Sequence, residues 1–264
     1  MPLVTAWLKP PRGTKGQDHL ATIATCEALY QQLLPGITNV TNRARCYSFY
    51  PWLIKTLDQK GLPRDPKSLI NLVRRAECVW CLIGINHEDG GESWAHGGGL
   101  AGRDKLVPAW QEISKGGSLD LDDYATLDEE PMRYFKNRLG GLGQYYLGVF
   151  KDLEILSGDT RQGLRYFRPR GDLLADVFAG TVDGDRFFRA LRDGRITRQL
   201  LDRLADFCPC QLAGNPRERG ALLDLFLNRK GTFFEESEMA RRHTLVLILD
   251  LAQRLRLSPS AHAP

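Results

Sequence analysis

Cysteine and histidine are the residues here best suited to hold a metal, and they fall into two groups. Cys78-x-x-Cys81 and Cys208-x-Cys210 together supply the letters of a four-cysteine zinc set. Their setting argues against it. A structural zinc ribbon takes paired ligands from tight turns, whereas Cys78 and Cys81 lie in a helical pattern beside Val79, Trp80 and Leu82. Buried free thiols are common, so the expectation is core cysteines and no metal. The second group is His87, Glu88, Asp89, Glu92 and His96, within HEDGGESWAHGGGLAG, which has six glycines in sixteen residues. None has the rigid i,i+4 spacing of H-E-x-x-H. A flexible, solvated surface loop is expected.

Other catalytic patterns fail on context. Gly97 to Gly102 spells G-x-x-x-x-G, but Arg103-Asp104 follow where a phosphate loop needs Lys and Ser/Thr. Asp58-Gln59-Lys60 and Asp65-Pro66-Lys67 match the acid-x-Lys of metal-dependent nucleases in letters alone, since both sit at helix ends beside Gly61 and Pro63. No nucleophile elbow is present. No catalytic residue and no cofactor is assigned.

Basic residues offer binding chemistry instead. Residues 160 to 170 (TRQGLRYFRPR) carry Arg161, Arg165, Arg168 and Arg170 and no acid, while 120 to 130 (DLDDYATLDEE) carry six acids and no base. Arginines on a short hairpin can hold phosphates. Gln144, Tyr145 and Lys151 lie on the polar side of the preceding helical pattern, where side chains can reach base edges. A second stretch, Arg43 to Trp52, interleaves Arg43 and Arg45 with Tyr47, Phe49, Tyr50 and Trp52. Aromatics among arginines can stack bases. The commoner arrangement makes the aromatics core and the arginines its rim.

The elements that would position these groups are mostly helical. Leu142, Tyr146, Val149, Leu153 and Leu156 share one helix face after the Gly140-Gly141-Leu142-Gly143 turn, and Leu164 to Arg168 reads as a strand. Helix, turn, helix, basic hairpin and helix is the order of a winged helix. Asp65-Pro66 starts a helix to about Asn86, Pro51 should kink or stop any helix around it, and acids 128–130 suit a helix starting near Pro131. Further helices are expected at about 185–192, 197–206, 216–227 and 235–257. The fold expected is mainly α with a small β component, a helical bundle with an embedded winged-helix-like module. Its parts would be a flexible segment 1–16, a helical domain 17–115, an acidic linker 116–130, the winged-helix-like module 131–182, a helical region 183–257 and a disordered tail 258–264.

Composition sets bounds on these readings. The chain has 264 residues, 42% hydrophobic and 26% charged, with net charge +4. That is ordinary for a soluble globular protein and permits an anionic partner without requiring one. No apolar run suits a signal peptide or a membrane span. A cytoplasmic protein without membrane partners is expected.

LLPGITNVTNRARCYSFYPWL together with GLGQYY and FRPRGDLLADVF resembles a group of poorly characterised bacterial proteins of antiviral-defence gene clusters. The resemblance implies a context, a subunit of a defence or mobile-element system, and no mechanism. The function expected is therefore a non-enzymatic subunit that binds double-stranded DNA or assembles with other protein subunits. Its rivals are a protein–protein scaffold recruiting a separate nuclease or ATPase, and a diverged metal-dependent nuclease. Exposed apolar surface without a basic face would favour the scaffold.

Overall fold

The computed structural model describes residues 22–60, 65–91, 93, 95–159, 163–166, 170–231 and 235–255, and for 157–166 the backbone alone. The segments 1–16 and 258–264 lie outside the described residues. In chain order come α1 (Thr22–Leu33), α2 (Cys46–Gln59), α3 (Pro66–His87) and α4 (Arg103–Ser114). A short strand β1 (Leu119–Asp120) leads into α5 (Leu121–Ala125), and a π-helical turn (Leu142–Tyr146) runs into α6 (Leu147–Asp152). Strands β2 (Leu156–Asp159) and β3 (Gly163–Tyr166) precede α7 (Arg170–Ala179) and α8 (Gly184–Asp193). Then follow β4 (Arg195–Ile196), α9 (Arg198–Asp202), two 3-10 segments (Ala205–Phe207 and Pro209–Gly214), α10 (Pro216–Leu227) and α11 (Glu236–Arg254). The protein is mainly helical with little strand.

Helix α3 is the axis of the core. The Asp65 side chain caps it by accepting from Ser68 N at 2.9 Å, and Pro66 occupies its first turn. Every residue from Ala76 to Ile85 is buried, as in a helix surrounded by others. Helix α2 packs on it with Phe49 stacked over Trp80 at 4.1 Å. Contrary to the sequence expectation, α2 continues through Pro51. Residues 46 to 54 of α2 are all buried. Burying this aromatic run outweighs the roughly 3 kcal/mol penalty of an interior proline.

Two buried ions on α3 organise the chain between α5 and α6. Arg74 donates to the carbonyls of Ala125 (2.6 Å), Thr126 (2.8 Å), Phe135 (3.0 Å) and Asn137 (2.7 Å). Those carbonyls are spoken for, so the helix expected from Pro131 does not form and 126–139 is irregular. One turn on, Glu77 accepts from Tyr50 (2.8 Å), Tyr134 (2.5 Å), Gly141 N (2.8 Å) and Leu142 N (2.7 Å). Burial pushes its carboxyl up, and those four donors, Tyr134 foremost, pull it back. Gly140 sits at φ +62, where a Cβ would lie 1.9 Å from the Tyr134 hydroxyl.

The β component is two separate antiparallel pairs. In β2–β3, Leu156 faces Tyr166 and Ser157 faces Arg165. The helix expected over 142–156 is a π-helical turn continued by α6 to Asp152, with Leu156 entering β2, and 131–139 is irregular. In β1–β4, Leu119 faces Ile196. That pairing, with Leu119, Leu121 and Ala125 buried, makes the expected acidic linker part of the body. One hydrophobic cluster runs from Cys46 to Leu225, taking in residues of all three expected helical parts. Helices α8, α10 and α11 fall close to their expected bounds, while 197–206 is split between α9 and a 3-10 turn.

Glu77→Ala should lower stability by roughly 3–5 kcal/mol, because it strands four buried donors. Urea unfolding followed by tryptophan fluorescence measures this, and a change below about 1 kcal/mol would contradict the role given to Glu77.

Candidate metal centre

His87 is the last residue of α3, and the glycine loop folds back on the helix to meet it. The fold-back depends on two glycines. A Cβ on Gly84 would lie 2.8 Å from Gly97 Cα, and one on Gly97 would lie 3.0 Å from Ile85 N. Backbone-to-backbone contact one turn before His87 thus sets His96 beside it, with ring centroids 4.9 Å apart. The Glu88–Arg103 ion pair at 2.9 Å braces the loop, and Glu88 also accepts from Ser93 N at 2.7 Å. Gly97, Gly98 and Leu100 are buried. Glycine serves close packing at 97 and 98, while residues 89, 91, 93 and 95 of the loop are exposed.

The opposite wall is Cys208-Pro209-Cys210, at the junction of the two 3-10 segments. Arg45 fixes it from within. Its guanidinium donates to the carbonyls of Asp206 (2.8 Å) and Cys208 (2.5 Å) while paired with Glu218 at 3.3 Å. Trp80 of α3 donates from Nε1 to the Phe207 carbonyl at 2.7 Å. Asn86 to Asp202 (2.7 Å) and Arg198 to Asp89 (3.0 Å) close the gap between the end of α3 and α9.

These constraints bring four donor side chains to one point. His96 Nδ1 lies 3.3 Å from Cys208 Sγ, and His87 Nδ1 lies 3.3 Å from Cys210 Sγ. One ligand atom from each of the four lies within 4.8 Å of every other. Cys208 is buried, His96 and Cys210 half-buried, and His87 exposed, so the cluster reaches solvent on one side. Burial pushes the Cys208 thiol up to about 12, partly offset by a backbone hydrogen bond at Cys210. Two sulfurs and two imidazole nitrogens can form a pair of thiol–imidazole contacts or jointly hold a divalent cation.

The structure brings together part of each grouping that the sequence offers, the two histidines with Cys208 and Cys210. Cys78 and Cys81 are wholly buried inside α3 and take no part. Cys208 and Cys210 meet the two histidines, while Asp89 is turned to Arg198 and Glu88 to Arg103. The missed signal was the Cys-Pro-Cys knuckle itself, since a proline between two cysteines is a tight turn.

The described residues among those expected to contact DNA divide into buried and exposed ones. Arg43 and Arg45 are buried, Arg45 as the pin of the knuckle, so neither offers a guanidinium to a nucleic acid. Arg170 is also buried, donating to the Leu153 carbonyl at 3.0 Å and to Glu238 at 2.9 Å. Gln144 and Lys151 are exposed, and Tyr145 shares an open groove with Gln144 and Phe135. Arg165 lies on β3 across from Ser157, while Arg161 and Arg168 fall outside the described residues. The aromatics 47, 49, 50 and 52 are core. No family model, curated protein or solved structure matches the chain.

Gly84→Ala would ordinarily gain about 1 kcal/mol as a mid-helix glycine replacement. Here the added methyl meets the Gly97 backbone, so a net loss of about 1–3 kcal/mol is expected. Thermal unfolding gives the sign, and a stabilised variant would show that the loop does not need this contact.

Proposed function

We propose that this chain is a non-enzymatic assembly subunit that docks a protein partner through the faces of α1 and α11. The observation that carries the reading is the apolar surface of these helices. From Val246 to Leu249 four consecutive apolar residues are exposed, Leu247 by 68%, and Leu251 and Leu255 continue the surface. Four successive residues cover the whole circumference of a helix, and a helix apolar all round is normally enclosed. Helix α1 packs against α11 and adds exposed Ile23, Leu29 and Leu33, with none of its own residues buried. No helix among the described residues is long and apolar enough to cross a membrane. The N-terminal part of α11 is firmly held, since buried Arg241 donates to the Leu225, Phe226 and Pro35 carbonyls and pairs with Glu238. A fixed base with an apolar extension that is exposed among the described residues suits recruitment of another protein. The resemblance to bacterial defence-cluster proteins supplies the setting, a subunit working beside a separate nuclease or ATPase.

The test is the size of the particle the chain forms in its own cells. Wild type should elute well above its 29.8 kDa mass. Leu247→Glu with Leu251→Glu should elute as the monomer, with stability changed by no more than about 0.5 kcal/mol as for other exposed sites. A monomeric wild type would remove this reading. Purified wild type that dimerises alone would make the partner a second copy.

Duplex DNA binding is the second reading, favoured by exposed Gln144 and Lys151 just ahead of the β2–β3 hairpin. In it, that hairpin acts as the wing of a winged-helix-like module. Arg165→Glu with Arg168→Glu should then remove most duplex binding and lower the salt slope of what remains by about 1 to 2. No shift by wild type at low salt would exclude it.

A further inference from the structure

We infer that His87, His96, Cys208 and Cys210 form a structural zinc site that fastens the end of α3 to the glycine loop and to the 3-10 segments after α9. The inference stands independently of the docking face, which lies on other helices.

Three features of the geometry lead to it. The first is the donor set. Two thiolates and two imidazoles are the borderline-soft combination that selects Zn2+ over the oxygen-seeking Mg2+ and Ca2+. The second is size. Zinc bonds of about 2.3 Å to sulfur and 2.0–2.1 Å to nitrogen span tetrahedron edges of about 3.3–3.8 Å. Two of the four nitrogen–sulfur separations here are 3.3 Å, and one ligand atom from each residue lies within 4.8 Å of the others. The third is that the ligands are placed by contacts which do not involve the site. Gly84 against Gly97 places His96, while Arg45 and Trp80 place the cysteine knuckle. A pair of thiol–imidazole hydrogen bonds needs no such convergence of four groups from three chain segments.

Four protein ligands complete the tetrahedron, so no position remains for water or substrate and the site is structural. Binding is Zn2+ + 2 RSH + 2 imidazole → Zn(SR)2(imidazole)2 + 2 H+. The product is neutral, which suits a half-buried position. The ion would cross-link residues more than a hundred positions apart where the local structure is only loop and 3-10 turn.

Elemental analysis of the full chain, purified under reducing conditions with zinc in the growth medium, should find about one zinc per chain, following the one four-ligand set among the described residues. Substituting Co2+ should give the ligand-field bands of a tetrahedral thiolate site. Cys208→Ser with Cys210→Ser should lose the metal, whereas Cys81→Ala should retain it. Should the double variant fail to fold, His87→Ala at the exposed corner supplies the measurement. Competition against a chromophoric chelator should show its zinc affinity reduced at least about 10-fold, since even outer-sphere partners of a zinc ligand are worth that much. Chelator should also lower the melting temperature of wild type and leave His87→Ala less affected. Metal-free wild type whose melting temperature ignores chelator would overturn the assignment. So would a Cys208–Cys210 disulfide in the reduced preparation, or zinc retained undiminished in the ligand variants.

Discussion

The carboxylate of Glu77 is the interaction on which the rest of the arrangement turns. It is wholly buried on the central helix, and two phenols and two backbone amides converge on it. An ion in such a place is tolerated only when its lone pairs are filled. The requirement therefore fixes where Tyr50 of α2, Tyr134 and the Gly141–Leu142 turn must lie. One turn earlier, Arg74 does the same for carbonyls in the irregular stretch between α5 and the π-helical turn. Together the two ions replace the hydrogen bonds that regular structure would have supplied there. Helix α3 thus becomes a template for a segment with almost no secondary structure of its own.

Much of the helical framework was legible because it follows local rules. Asp65-Pro66 marked the start of α3, and its apolar spacing carried it to the right end. Asn215-Pro216 likewise begins α10, where the Asn215 side chain accepts from Glu218 N. Misreadings arose where tertiary contacts overrode local preference. Pro51 would end a helix in isolation, yet α2 continues because its aromatics are enclosed on all sides. Asp128 to Pro131 look like a helix start, but Arg74 claims the carbonyls around them. The β1–β4 pairing joins residues some seventy-five positions apart with two residues each, too short a pattern for alternation to register.

The cluster of two histidines and two cysteines was illegible for a related reason. Its histidines were visible as a pair and its cysteines as a pair, but nothing local linked 87–96 to 208–210. What links them is a chain of long-range fasteners: Trp80 to Phe207, Asn86 to Asp202 and Arg45 to the knuckle carbonyls. The glycines were misleading in a specific way. A run of glycine reads as loose chain, yet Gly84, Gly90 and Gly97 are each needed because another group occupies the space of a Cβ, Trp110 in the case of Gly90. Lack of a side chain here permits contact instead of motion.

The arginines carry the same lesson into function. A mildly basic chain with arginine clusters invites an anionic partner, but Arg43, Arg45, Arg74, Arg170 and Arg241 are all buried. Four of them are seen binding backbone carbonyls, a use to which the forked guanidinium is suited because it offers five donors in one plane. Buried glutamates are fewer, being Glu77, Glu218 and Glu238 among the described residues. Among the described residues, burial thus removes more positive than negative charge from the surface. The run from Val246 to Leu251, which on composition alone belongs in a core, lies on the outside. In this fold five arginines act as internal fasteners, while an apolar run of α11 is offered to solvent.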